Sequence, residues 1–65
     1  MMNAQELRSA RASLNLTIDQ FAKVMNVTPS AVSLWENGQR TPQGPALQLL
    51  RVIMKYPGLI QELLS

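Results

Sequence analysis

The side chains able to do chemistry in this 65-residue chain are few: four carboxylates (Glu6, Asp19, Glu36 and Glu62), six lysines and arginines, and no histidine or cysteine. Glu6 and Asp19 stand in helix-start positions, which leaves no acid–base pair and no cluster with metal-ligand spacing. No glycine-rich phosphate loop occurs either. The chain is therefore not read as an enzyme, and neither a metal nor a cofactor is expected. What remains is the chemistry of recognition: hydroxyls, carboxamides and a guanidinium gathered between Thr28 and Arg40.

Those groups need an element to hold them. Thr28 followed by Pro29 is a helix-start signal, a capping hydroxyl and then a ring whose φ suits the first helical position. Asn37 and Gly38 form the matching stop, since both tolerate the left-handed conformation that ends helices. Between them lies a helix of about two turns at 3.6 residues per turn. Val32 and Trp35, three apart, share its buried face, which reads Trp35 as core. Ser30, Ser33 and Leu34 fall on or near the other side, with small Ala31 between. A short helix with a small, uncharged outer face suits insertion into a groove, and the groove expected is that of DNA.

The rest of the chain supplies the frame. Asn3 and Glu6 have capping-box spacing, and Leu7, Ala10 and Leu14 continue an apolar stripe to about Leu14, with Arg8 and Arg11 at its margin. Asn15 can close this helix. Thr17 and Gln20 repeat the capping-box spacing and open a second helix with Phe21, Ala22 and Met25 on its buried face. Asn26 ends it, Val27 points back to the core, and the short connection to Thr28 is of the helix-turn-helix kind. The polar stretch from Gln39 to Gly44 is a loop. Pro45 starts a fourth helix carrying Ala46, Leu47, Leu50, Ile53 and Met54. Tyr56 before Pro57 breaks it, and Leu59, Ile60, Leu63 and Leu64 form a short last helix. The expectation is an all-α, single domain over residues 1–65, with five helices and a helix-turn-helix core at 17–38.

The segment from Thr17 to Gly38 resembles the helix-turn-helix of phage repressors and Cro, the Xre type, and the likeness extends from Leu7 to about Met54. Ala22 matches the position where two helices approach closely, and Val32 and Trp35 match buried positions of the recognition helix. Trp35, Glu36, Asn37 and Gly38, followed by a basic residue and Pro42, match a familiar ending. Asn26 replaces the usual turn glycine and can still adopt positive φ. Ile18 stands where the family often has a phosphate-bonding glutamine. Pro42 to Ala46, Leu49 to Arg51 and Tyr56-Pro57 also resemble HigA-type and MqsA-type antitoxins, which repress their own operons and whose toxin partners cleave RNA.

The resemblance implies a compact repressor-like DNA-binding transcriptional regulator with the helix 28–37 in the major groove. Its DNA-contacting set would be Arg11, Thr17, Thr28, Pro29, Ser30, Ser33, Leu34, Asn37, Gln39 and Arg40. Each has a plainer reading beside it. Ser30 and Ser33 are either solvated helix positions or contacts to base or phosphate. Leu34 either folds back or meets a thymine methyl, and Pro29 and Ala31 either contribute similarly or merely start the helix. Thr17 and Thr28 cap their helices, and those same helix ends favour phosphate. Gln39 and Arg40 are solvated loop residues or backbone contacts. The resemblance also pairs Arg11 with Glu36, a partly buried pair that positions more than it stabilises. With no Arg or Gln fork on the recognition helix, modest intrinsic specificity aided by DNA shape is expected.

Composition bounds the remainder. A chain of this length has a small core, and with 46% hydrophobic residues and no cysteine that core must be aliphatic packing. The net charge of +2 is a weak sign of nucleic-acid binding. The apolar runs fall far short of a membrane span, no signal peptide is recognised, and a reducing cytoplasm is the expected location. Ile53, Leu59, Ile60, Leu63 and Leu64 look like more apolar surface than one domain covers. They form either a homodimer seam, with double-stranded DNA bound as paired operator half-sites, or the lid of the monomer's core. The competing function is an antitoxin or protein-interaction module binding a toxin or other protein, with DNA secondary or absent.

Overall fold

Residues 2–65 are described by a computed structural model, and the elements follow from the caps. Helix α1 spans Ala4–Ser13, α2 Ile18–Met25, α3 Pro29–Glu36, α4 Pro45–Lys55 and α5 Leu59–Leu64, with no strand among the described residues. Asn3 and Thr17 both close full capping boxes with Glu6 and Gln20, so four backbone amides at two helix starts donate to side-chain oxygens. Asn15 (φ 59°) and Asn26 (φ 57°) take the left-handed conformation that turns the chain out of α1 and α2. The third stop falls at Asn37 and Gly38 as expected, and the two divide the work. Asn37 remains right-handed at φ −88°, and Gly38 alone goes left-handed at φ 77°. Glycine meets no Cβ penalty there, so the turn is made where it costs least.

Helix α2 is the hub, packing on α3, α4 and α5, while α1 lies against α3. Its Phe21 is fully buried, with Leu7, Val24, Val32, Leu50 and Ile53 completing the innermost layer from four helices. Ala22, 2% exposed, is small where α2 must approach its neighbours closely. Val24 also belongs to this core, although the expected buried face named only Phe21, Ala22 and Met25. It stands three residues after Phe21, so helical spacing already placed it on that face. Val27 packs against the core from the turn before α3, as read from the sequence.

The C-terminal apolar set divides in two. Ile53 at 0% and Ile60 at 8% exposure are core residues of this same chain, and Leu64 packs partly against that core. That corrects their assignment to surplus surface: α4 and α5 both pack on α2 and carry these residues into one core. Leu59 and Leu63 do remain outside, at 41% and 38% exposure, and Val52, Met54 and Tyr56 are exposed as well.

Candidate nucleic-acid interface

The N-terminus of α3 is built from Thr28 and Pro29. The Thr28 hydroxyl accepts from the Ala31 amide at 3.1 Å, and Pro29 has no N–H. Among the described residues, the Ser30 amide is left without a protein acceptor in that first turn. Thr28, Pro29 and Ser30 are exposed, and α3 carries no acidic residue in its first turn. The N-terminus of α2 is different. Thr17 and Gln20 satisfy each other at 2.9 and 3.1 Å, and exposed Asp19 already answers the positive end of the helix. Of the two capping threonines, Thr28 therefore offers the better anion environment.

Along α3 the burial alternates with helical phase. Val32 is completely buried and Trp35 is 8% exposed, confirming the inward face. Ser33 and Leu34 are half-buried rather than fully open. Behind Leu34 the chain doubles back. The amides of Gln39 and Arg40 donate to its carbonyl at 3.0 and 3.2 Å, which brings the post-helix turn alongside the end of α3. That turn leaves Asn37, Gln39 and Arg40 exposed together. Among the described residues the Arg40 guanidinium has no hydrogen-bond or ion-pair partner, whereas buried Pro42 tucks the chain in just beyond it.

Arg11 is placed otherwise. Its Nε and Nη2 donate to the two Glu36 carboxylate oxygens at 2.6 and 3.1 Å, and its Nη1 donates to the Leu16 carbonyl at 3.0 Å. The hydrogen bonds that Arg11 donates to Glu36 raise the Arg11 pKa above its ordinary value, against a smaller opposing effect of desolvation. Arg11 is thus a brace between α1, α3 and the start of α2, with most of its donors committed inside the protein. Glu36, 7% exposed, is the buried charged residue among the described residues, and it needs that partner. One α1 residue that helical phase left at the margin joins it: Arg8, whose Nη1 donates to the Glu36 carbonyl oxygen. Nothing in local spacing announces a contact across 28 positions.

The arrangement of α2, its tight asparagine turn and α3 is shared with known proteins. A family profile described as helix-turn-helix matches residues 7–57, from the buried Leu7 of α1 to Pro57 after α4. The chain belongs to the helix-turn-helix family. The resemblance drawn from Thr17 to Gly38 thus holds at the level of family and all-α fold. Among curated proteins it is similar to the uncharacterized HTH-type transcriptional regulator YiaG of Escherichia coli strain K12, with 34% identity over 60 residues covering 92% of this chain and 62% of YiaG. It is also similar to the antitoxin HigA-2 of Vibrio cholerae serotype O1, with 24% identity over 62 residues covering 95% of this chain and 60% of that protein. The chain thus spans about three-fifths of the length of these helix-turn-helix relatives. No helix among the described residues is long and apolar enough to cross a membrane.

Proposed function

We propose that this helix-turn-helix protein binds double-stranded DNA as a transcriptional regulator, acting as a repressor with α3 in the major groove. The observation that carries the reading is the charge arrangement of α3. Its one acid, Glu36, is turned inward and matched by Arg11, so its accessible side is Thr28, Pro29, Ser30 and Ser33, without a carboxylate. A polyanion can approach that side without meeting a like charge. Thr28 and Ser30 at the helix start, and Asn37, Gln39 and Arg40 after its end, then straddle the groove as backbone contacts. Ser33 and the accessible part of Leu34 lie between them and meet base edges, Leu34 suiting a thymine methyl. Thr17 and Arg11 are secondary contacts, the first beside Asp19 and the second already engaged within the protein. Sequence preference is modest and leans on DNA shape, because α3 carries no bidentate arginine or glutamine.

The molecule measures 29 × 21 × 21 Å, which suits one half-site. Paired half-sites recur about 34 Å apart, so a homodimer is the form we assign to operator binding, joined through exposed Leu59 and Leu63. A cytoplasmic location accords with this role. A second reading draws support from HigA-2, which is named an antitoxin. In it the apolar group of Val52, Met54, Tyr56, Leu59 and Leu63 meets a toxin, with DNA binding alongside or absent.

Salt separates the two. With about four phosphate contacts, affinity for the protein's own upstream DNA falls on the order of a hundredfold between 50 and 200 mM salt. A gel shift at those two concentrations measures it. Ser33→Asp abolishes the shift while leaving any protein complex intact. No retardation at low salt, or retardation indifferent to salt and to Ser33→Asp, would overturn the DNA reading.

A further inference from the structure

The last turn of a helix leaves four carbonyl groups without an intrahelical donor, so each must find a partner elsewhere. In α3 three of them are answered by the chain that follows. Ser33 accepts from the Asn37 amide at 2.9 Å, Leu34 from Gln39 and Arg40 at 3.0 and 3.2 Å, and Trp35 from Gly38 at 3.2 Å. The fourth, on Glu36, is answered by a side chain from another helix, Arg8 of α1. Helix α3 has no basic residue of its own in its last turn. Arg11 brings a positive charge there, but Glu36 neutralises it. The guanidinium of Arg8 is therefore the cation bonded directly to the open carbonyl at the negative end of the α3 dipole, whereas Arg40 of the following turn reaches α3 only through its backbone amide.

We infer that Arg8 is a positioning residue for the recognition helix: it supplies from α1 the C-terminal cap that α3 lacks, and so sets the direction in which Ser30 and Ser33 are presented. The inference rests on the DNA-binding reading for its consequence, though not for the cap itself. Arg8 and Arg11 stand three apart on one face of α1 and hold the backbone and the side chain of the same residue. Packing of Val32 and Trp35 fixes the middle of α3, and the two arginines fix its last residue at both backbone and side chain, so loss of Arg8 loosens the C-terminal end. A tilt of about 10° about Glu36 would displace Ser30 by roughly 1.5 Å over the ~9 Å of helix between them. That is enough to break a hydrogen bond.

The test uses the full chain with Arg8→Gln and Arg8→Lys, the lysine retaining one charged donor for one carbonyl. Amide exchange followed by NMR is expected to accelerate about tenfold at Gly38 and Gln39 in Arg8→Gln, with Phe21 and Val24 unaltered, and to return most of the way in Arg8→Lys. A duplex carrying the protein's own upstream region is expected to bind Arg8→Gln about tenfold more weakly, with the same dependence on salt as the unsubstituted protein. Unaltered exchange at Gly38 and Gln39 overturns the cap. A salt dependence shallower by about 0.9 in log–log slope overturns positioning, because it marks a lost phosphate contact instead. Failure of the DNA reading shows separately, as no binding by the unsubstituted protein, and the exchange result still decides the cap.

Discussion

Arg11 of α1 and Glu36 of α3 meet in a two-pronged ion pair, 2.6 Å from Nε to Oε2 and 3.1 Å from Nη2 to Oε1. The pair resolves a conflict at the heart of the proposed interface. A carboxylate ends the helix that is to approach DNA, and burial with a matched cation removes it from the approaching surface.

Arg11→Ala leaves the Glu36 carboxylate buried without its cation. A loss of about 2 kcal/mol is expected, below the range for fully buried pairs because the Arg11 side chain keeps 22% exposure. In a domain of this size that lowers Tm by roughly 10 °C, read by circular dichroism. An unchanged Tm would dismiss the pair as a structural element. Because the Arg11 pKa is raised on folding, its contribution is complete at lower pH and is lost only as pH climbs through that raised value. Melting between neutral pH and about pH 10 should then show no loss traceable to Arg11 deprotonation.

Gly38→Ala tests the turn that ends α3. An added Cβ would lie 3.8 Å from the Ala4 Cβ, an ordinary contact, so the penalty comes from φ 77° alone. About 1 kcal/mol of destabilisation is expected in urea melts, with Gly38→Asn costing less because asparagine tolerates that conformation better. Equal losses for the two variants would point to packing rather than backbone strain.

Trp35 gives an intrinsic reporter. As the lone tryptophan, 8% exposed on the inner face of α3, it should fluoresce as a buried indole and change little when DNA is added. Strong quenching by duplex DNA would instead mark base stacking. Trp35→Ala is expected to cost about 3–5 kcal/mol, enough to unfold much of so small a domain at room temperature.

Leu59→Gln with Leu63→Gln removes the exposed apolar side chains of α5 without touching the core, since both are more than a third accessible. The double variant should sediment as a monomer while its Tm at low concentration moves only slightly. Sedimentation identical to the parent protein would free α5 from any role in self-association. Leu64 is a poorer choice, because it packs partly against the chain's own interior.

What could be read in the residues was mostly local. Cap spacings at Asn3, Thr17 and Thr28, the asparagine stops at Asn15 and Asn26, and the break at Tyr56-Pro57 each depend on neighbours within four positions. All of them recur in the structure. So does the inward turn of Val32 and Trp35, which needs only the helical period. The pairing of Arg11 with Glu36 came from likeness to a family, not from spacing.

Tertiary structure decided what depends on which helix lies over which. Whether Ile53 and Ile60 face solvent or interior is indeterminate from periodicity, because any apolar stripe fits either destination until α5 is seen folded onto α2. Leu34 is half-buried, its carbonyl takes two amides from the turn that follows, and Asn37 stays right-handed while its glycine neighbour takes the left-handed position. Arg8 finds its acceptor across 28 residues. Short-range rules describe how a helix starts, stops and turns one face inward, since hydrogen bonds and sterics there act over a single turn. They say nothing of the partner a long, flexible cation will reach, because only the packed chain brings a distant carbonyl within its grasp.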